Sequence, residues 1–381
     1  MIIPRTIETD LKNLLEQASG TNKVIIIYGA RQVGKTTLVK HLAQSLAKRS
    51  EYFNCDYLDI QSLFSWGNAG NLSNVVRNLD IVILDEAQRI SNIGLVLKIL
   101  HDEFPQLQVI ATGSSSFELP NRVNEPLTGR KTVFKLYPLT FAELNRDTNF
   151  VESKRNLTRV LRLGLYPSVI LNDDKQAQEN LYEITSSYLF KDILEFQHLK
   201  KPEILLGLLK LLAFQVSNEV SYTELAGKLK VDQTVVQRYI QLLENNFVIF
   251  RLPALKKNLR NEIGKSRKIY FWDLGIRNAI IQRLQTFDTR DDTGALWENF
   301  CIAERLKFLS YNHCQLNAYF WRTYSQREID YIEEADGKYN AFEFKWQARK
   351  KTGLPKEYAA GYPDSVYETI TPDNFMERLF V

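Results

Sequence analysis

Eight residues, Gly29-Ala30-Arg31-Gln32-Val33-Gly34-Lys35-Thr36, have the types and spacing to hold a polyphosphate. They fit the phosphate-loop pattern G-x-x-x-x-G-K-[ST]. Backbone N–H groups cradle the phosphates, the lysine reaches the β- and γ-phosphates, and the hydroxyl holds Mg²⁺. Lys35, Thr36 and the following Thr37 therefore head the candidate list. Such a loop needs a second acid to complete the Mg²⁺ shell. Asp85-Glu86, at the end of the apolar run Ile81-Val82-Ile83-Leu84, supplies it. Asp85 would complete that shell, and Glu86 would orient or deprotonate an attacking water. An acid directly after the Mg²⁺ ligand points to hydrolysis as well as binding. Thr112, at the head of Thr112-Gly113-Ser114-Ser115-Ser116, would contact the γ-phosphate or the water; a plain polar turn is the alternative. Asn54 is expected either to hydrogen-bond Glu86, holding it off the water, or to be an ordinary turn residue.

A second set of acids lies near the C-terminus. Glu328-Ile329-Asp330-Tyr331-Ile332-Glu333 and Tyr339-Asn340-Ala341-Phe342-Glu343-Phe344-Lys345-Trp346 flank the turn Ala335-Asp336-Gly337-Lys338, a hairpin signal. The period of 2 puts Glu343 and Lys345 on one face, so Asp330 and Glu343 can share one Mg²⁺. Lys345 would then orient water or stabilise charge on a phosphate. Glu298, near the start of an amphipathic helix, is a further acid. The competing reading is the alternating charge of an ordinary strand face.

The elements that position these groups are legible around them. Val24–Tyr28 is a short β-branched run that reads as a buried strand, and Leu38, Val39, Leu42 and Leu46 have helical spacing. Gln108-Val109-Ile110-Ala111 is another strand, and a further one ends at Tyr52-Phe53-Asn54. Ligands of open α/β sheets sit at such C-terminal strand ends. Residues 157–212 have a helical pattern with few glycines. Val220–Leu252 reads as helix, turn, helix, strand, a winged helix-turn-helix. Gln233, Thr234, Gln237, Arg238 and Gln241 form the polar face of its second helix, which is barely basic. That face suits DNA or a protein partner. Lys256–Lys268 holds six basic residues against one acid, either a phosphate contact or a solvated loop, and Lys345, Arg349, Lys350, Lys351 and Lys356 add basic surface.

Three groups of residues carry a resemblance: Gly29–Leu38; Leu84-Asp85-Glu86-Ala87-Gln88; and Thr112–Ser116. Leu127-Thr128-Gly129-Arg130, Leu136-Tyr137-Pro138-Leu139-Thr140-Phe141-Ala142-Glu143-Leu144, Gly164-Leu165-Tyr166-Pro167 and Tyr188–Leu194 extend it. The chain resembles a large family of prokaryotic AAA-type ATPases whose C-terminal domain is of unknown function. The resemblance implies an AAA-type fold with nucleotide sites between subunits, Thr112 as a sensor residue, and Arg130 as an arginine finger for a neighbouring subunit. A surface salt bridge is the alternative for Arg130. Leu165 departs from the family's usual glycine. The spacing of Asp330, Glu343 and Lys345 is similar to the restriction-endonuclease-like nuclease core, which includes archaeal Holliday junction resolvases, and Glu298 matches an additional acid of that group.

At 381 residues the chain is long enough for two or three domains. The expected organisation is α/β: an AAA-type P-loop ATPase domain at 1–150, a helical lid at 151–212, a winged helix-turn-helix at 213–255 and a restriction-endonuclease-like domain at 256–381. A net charge of +4 permits a nucleic-acid partner without arguing for one. Cys55, Cys301 and Cys314 lack metal or disulfide spacing and read as small buried hydrophobes in a reducing compartment. No run approaches a membrane span, and Met1–Arg5 opens no signal peptide, so a cytoplasmic protein is expected. The leading expectation is an ATP- and Mg²⁺-dependent, ring-forming homo-oligomer acting on branched or duplex DNA. The alternative is a nucleotide-dependent switch that binds a protein and carries a degenerate nuclease fold. A metabolic kinase leaves the C-terminal acids unexplained.

Overall fold

The computed structural model describes residues 2–16, 23–65, 69–114, 127–188, 202–255, 266–323, 325–347 and 353–380. Ser115, Ser116, most of the Tyr188–Leu194 run, Lys256–Lys265 and Arg349–Lys351 lie outside them. The chain divides into two compact units: residues 1–139 with 245–247, and residues 140–244 with 248–381.

The first unit is built on five strands, β1 (Val24–Tyr28), β2 (Ser50–Asn54), β3 (Ile81–Asp85), β4 (Gln108–Gly113) and β5 (Lys131–Lys135). They form one parallel sheet in the order β2-β3-β4-β1-β5. Every residue of β1, β3 and β4 is buried, the burial expected of strands covered on both faces. The order decides the chemistry. With β4 between β1 and β3, the loop after β1, Asp85 of β3 and Thr112 of β4 share one sheet edge. The helix Lys35–Ser45 starts within the phosphate loop and buries Leu38, Val39 and Leu42. Gly34 has φ +98°, and a Cβ on Gly29 would lie 2.2 Å from the Leu136 carbonyl oxygen, so both positions require glycine.

In the second unit, the helices Tyr222–Leu229 and Gln233–Asn245 precede an antiparallel pair, β6 (Ile249–Pro253) and β7 (Arg267–Phe271). A four-stranded sheet follows, made of β8 (Asn317–Arg322), β9 (Glu328–Ala335), β10 (Lys338–Phe344) and β11 (Val366–Ile370) in the order β11-β10-β9-β8. It is antiparallel except for β10 and β11, which run parallel. The expected hairpin is formed. Ala335 pairs with Lys338, leaving Asp336 and Gly337 as a two-residue loop with φ +51° and +77°. Between the two sheets in sequence lies the 19-residue helix Thr293–Tyr311, which begins before Glu298 and buries Trp297, Phe300 and Glu304.

Two motifs quoted for the family resemblance have plain structural roles. Thr140 and Glu143 form a reciprocal capping box at the helix Phe141–Leu144. Gly164 adopts φ +78°, and a Cβ there would lie 2.1 Å from Asp273 Oδ1. The Asp273 carboxylate accepts from Leu165 N at 2.6 Å and from Ile276 N at 3.1 Å, tying that turn to the helix Leu274–Ile280. Nearby, Asp292 accepts from Arg290 Nε at 2.7 Å and Nη2 at 2.8 Å, and from Arg277 Nη1. These hydrogen bonds outweigh burial and hold its carboxyl down at about 2. Cys55 and Cys301 are buried as expected, whereas Cys314 is exposed on the turn after the long helix.

Candidate functional site

The phosphate loop and its partners meet as the strand order requires. Lys35 is buried and its Nζ donates to the Gly29 and Ala30 carbonyl oxygens, both at 2.9 Å. It lies 4.0 Å from Glu86 Oε1. Asp85 accepts from three hydroxyls: Thr36 at 2.6 Å, Tyr52 at 2.6 Å, and Thr112. Thr36 and Asp85, the two residues expected to hold Mg²⁺, are thus one hydrogen bond apart. A hydroxyl and a carboxylate suit a hard ion that takes oxygen ligands, so the donor set fits Mg²⁺. Thr37 is the third residue of this loop–helix junction, and Arg31, Gln32 and Val33 complete the cradle between the glycines. Gln32 has φ +61°.

Sequence reasoning missed Tyr52 and Arg5. Burial first, and then the Asp85 contact, raise the Tyr52 phenol far above its usual range. Its hydroxyl is therefore a fixed donor to Asp85. Arg5 is buried and donates to Val33 O at 2.8 Å and to Tyr137 O at 2.7 Å, bracing the loop backbone. Period-2 patterning on β2 could have found Tyr52; nothing near Arg5 announced it.

Glu86 sits at φ +53°, a left-handed conformation that non-glycine residues rarely adopt. Its N–H donates to Thr112 Oγ1 at 3.2 Å. Of the two readings of Asn54, the ordinary turn is the one realised. Asn54 Oδ1 accepts from Asp56 N at 3.0 Å, a local turn, while the Gln88 amide donates to Glu86 Oε2 and lies 3.4 Å from Ser114 Oγ. Asn54 pairs with Asp85 across β2 and β3, and its side chain is spent on its own turn. Arg130 Nε donates to Asp102 at 2.9 Å, a partly exposed pair.

In the second unit, Glu298, Glu328 and Asp330 converge, with one carboxylate oxygen of each within 4.8 Å of the others. The pairing of Tyr331 with Phe342 sets Asp330 and Glu343 next along β9 and β10, but Glu343 is not in that group of three. Its carboxylate instead accepts from Lys345 at 2.6 Å. Asp330 accepts from Phe344 N at 2.8 Å. Burial, and then the Glu298 and Glu343 charges, push the Asp330 carboxyl well above the usual carboxylate range.

Two further groups complete this cluster, Glu328 and Lys268. Lys268 on β7 is fully buried; its Nζ donates to Glu298 Oε1 at 2.9 Å and pairs with Glu328. The Tyr270 hydroxyl donates to the same Glu298 oxygen at 2.6 Å. Burial alone would lower the Lys268 ammonium, but the charges of Glu298, Asp330 and Glu328 reverse this and raise it above its usual value. The sequence reading counted Lys268 only as the last residue of a basic run.

Comparison with known proteins places this geometry. Residues 21–145 match the family model described as an AAA domain. The match supports an AAA-type P-loop ATPase. Residues 154–286 and 293–370 match two domains of unknown function, DUF8612 and DUF4143. The chain is 28% identical over 338 residues to an uncharacterized protein of Mycobacterium tuberculosis, covering 87% of this chain and 72% of that one. It is 24% identical over 361 residues to an uncharacterized protein of Methanocaldococcus jannaschii, covering 83% and 72%. Among solved structures, the Thermotoga maritima RuvB Holliday junction branch migration motor is 17% identical, with a TM-score of 0.32 over 66% of this chain and 90% of its own. A second RuvB structure from T. maritima scores 0.35 at 15% identity, over 65% and 89%. Scores this low carry no argument about this chain. Among the described residues no helix is long and apolar enough to cross a membrane.

Proposed function

We propose that this chain hydrolyses ATP in its first unit and uses that cycle to act on DNA. The observation that carries the hydrolysis is the meeting of Thr36 and Asp85 at 2.6 Å, beside Lys35 and with Glu86 next in sequence. Thr36 and Asp85 would hold Mg²⁺, whose charge offsets that of the β- and γ-phosphates. Lys35 leaves the Gly29 and Ala30 carbonyls for the phosphate oxygens. The N–H groups of the loop and the N-terminus of the helix Lys35–Ser45 point at the same anion. Glu86 accepts a proton from water as its oxygen attacks the γ-phosphorus; the bond to the bridging oxygen breaks, giving ADP and phosphate. Gln88 must release Glu86 for this to happen. Arg130, freed from Asp102, would serve a neighbouring subunit in a homo-oligomeric ring.

The DNA reading rests on the helices Tyr222–Leu229 and Gln233–Asn245 with the β6–β7 pair, an arrangement compatible with a winged helix. Gln233, Thr234, Gln237, Arg238 and Gln241 are all exposed on the second helix. A second reading, a nucleotide-dependent switch binding a protein and carrying a degenerate nuclease fold, is favoured by one observation. A buried ammonium already sits among the C-terminal acids. ATP turnover measured with and without duplex, branched and single-stranded DNA at stated salt separates the readings. Stimulation by DNA supports the first; DNA-independent turnover with no DNA retention supports the second.

A further inference from the structure

The restriction-endonuclease-like pattern implies a divalent ion among the C-terminal acids, and the residues present do not suit one. We propose that Lys268 is the resident cation of this cluster, and that the site excludes Mg²⁺ and Mn²⁺ in the folded protein. This inference does not depend on what the first unit does.

The geometry is that of an occupied site. Lys268 Nζ touches both Glu298 and Glu328, two of the three acids that converge. Its side chain has no solvent exposure, and the Phe320 ring lies 5.4 Å from the ammonium. β7 delivers a second donor from the same strand face, because Lys268 and Tyr270 are two residues apart and both reach Glu298 Oε1. Two further oxygens of the cluster are also engaged. Glu328 Oε2 lies 3.4 Å from Arg322 Nε, and Asp330 Oδ2 accepts from Phe344 N. Glu343, the acid that the sequence pattern assigns to the ion, is turned to Lys345.

Mg²⁺ needs about six oxygen ligands at about 2.0–2.1 Å and sheds its own waters reluctantly. Here it would have to share carboxylate oxygens with a fully buried, ion-paired ammonium. The ammonium instead satisfies the acids with fixed N–H donors, and its position is set by the fold of β7 rather than by ion concentration. The cluster then works as an ion-paired joint between β7, β9 and the helix Thr293–Tyr311.

Mn²⁺ binding to the full chain without nucleotide, followed by titration calorimetry or by the loss of its free-ion paramagnetic resonance signal, tests this. Wild type should bind no Mn²⁺ beyond what Asp330→Asn binds. Lys268→Met, checked for folding by circular dichroism, should gain one site with at least ten-fold tighter binding, and adding Asp330→Asn should remove that site. Lys268→Arg should remain without it. The proposal is overturned by a wild-type Mn²⁺ site that Asp330→Asn abolishes, or by folded Lys268→Met gaining none. Should Lys268→Met fail to fold, wild type against Asp330→Asn still decides: equal binding supports the proposal, and a difference overturns it.

Discussion

The Gln88 side-chain amide donates to the carboxylate of Glu86, two residues before it and at φ +53°. The residue best placed to activate water is therefore held by a neighbour on its own turn. Gln88 also lies 3.4 Å from Ser114 at the end of β4, so the hold is connected to the strand that carries Thr112. Gln88→Ala should raise basal ATP turnover several-fold with little change in KM, because Glu86 is released while the phosphate loop is untouched. Steady-state kinetics checks this, and a fall in kcat would assign Gln88 a supporting role instead.

Glu86→Gln keeps the shape of the side chain but removes the proton acceptor. ATP should still bind with near wild-type affinity, while kcat falls by about 10²–10⁴-fold, the usual range for loss of a general base. Fluorescent-nucleotide binding together with phosphate release separates the two effects.

Gly164→Ala should destabilise the second unit. The new Cβ would meet the Asp273 carboxylate at 2.1 Å, at a φ of +78° that alanine disfavours. A loss of about 2 kcal/mol or more is expected. Urea unfolding should show an earlier midpoint for that unit, with nucleotide affinity unchanged.

Asp292 makes acid stability testable. Its folded pKa of about 2 lies below the ordinary aspartate value, so the ionised form favours the folded state. The stabilisation is fully present above the unfolded pKa of about 4 and is lost as pH falls towards 2; solvent screening of this half-buried carboxyl reduces it to about 1 kcal/mol. Asp292→Asn should flatten that part of the stability–pH curve, and wild type should lose its advantage over the variant only as pH falls to about 2.

The candidate phosphate-loop site was legible because its residues are local: a loop of fixed spacing, and acids at the end of an apolar run. Burial on both faces marks β1, β3 and β4 as the interior strands, while their order comes from the pairing. The β9–β10 hairpin was legible for a similar reason, since Asp336-Gly337 tolerates positive φ where other residue pairs do not. What the sequence hid are contacts between distant segments. Arg5 reaches Val33 and Tyr137 across 28 and 132 residues, and Lys268 reaches Glu298 across 30. No periodicity encodes them, and Lys268 in particular looked like one more member of a solvated basic run. Asn54 left two readings open, and the turn is the one realised, because an asparagine after a strand readily satisfies its own turn.

On the proposed function, ATP bound at the loop Gly29–Thr36 fuels this protein. The most direct measurement is Mg²⁺-dependent ATP turnover of wild type beside Lys35→Ala, with and without DNA at stated salt. Wild type should turn over ATP, DNA should stimulate that turnover, and Lys35→Ala should lose both. Equal turnover in the two proteins would contradict the proposed function.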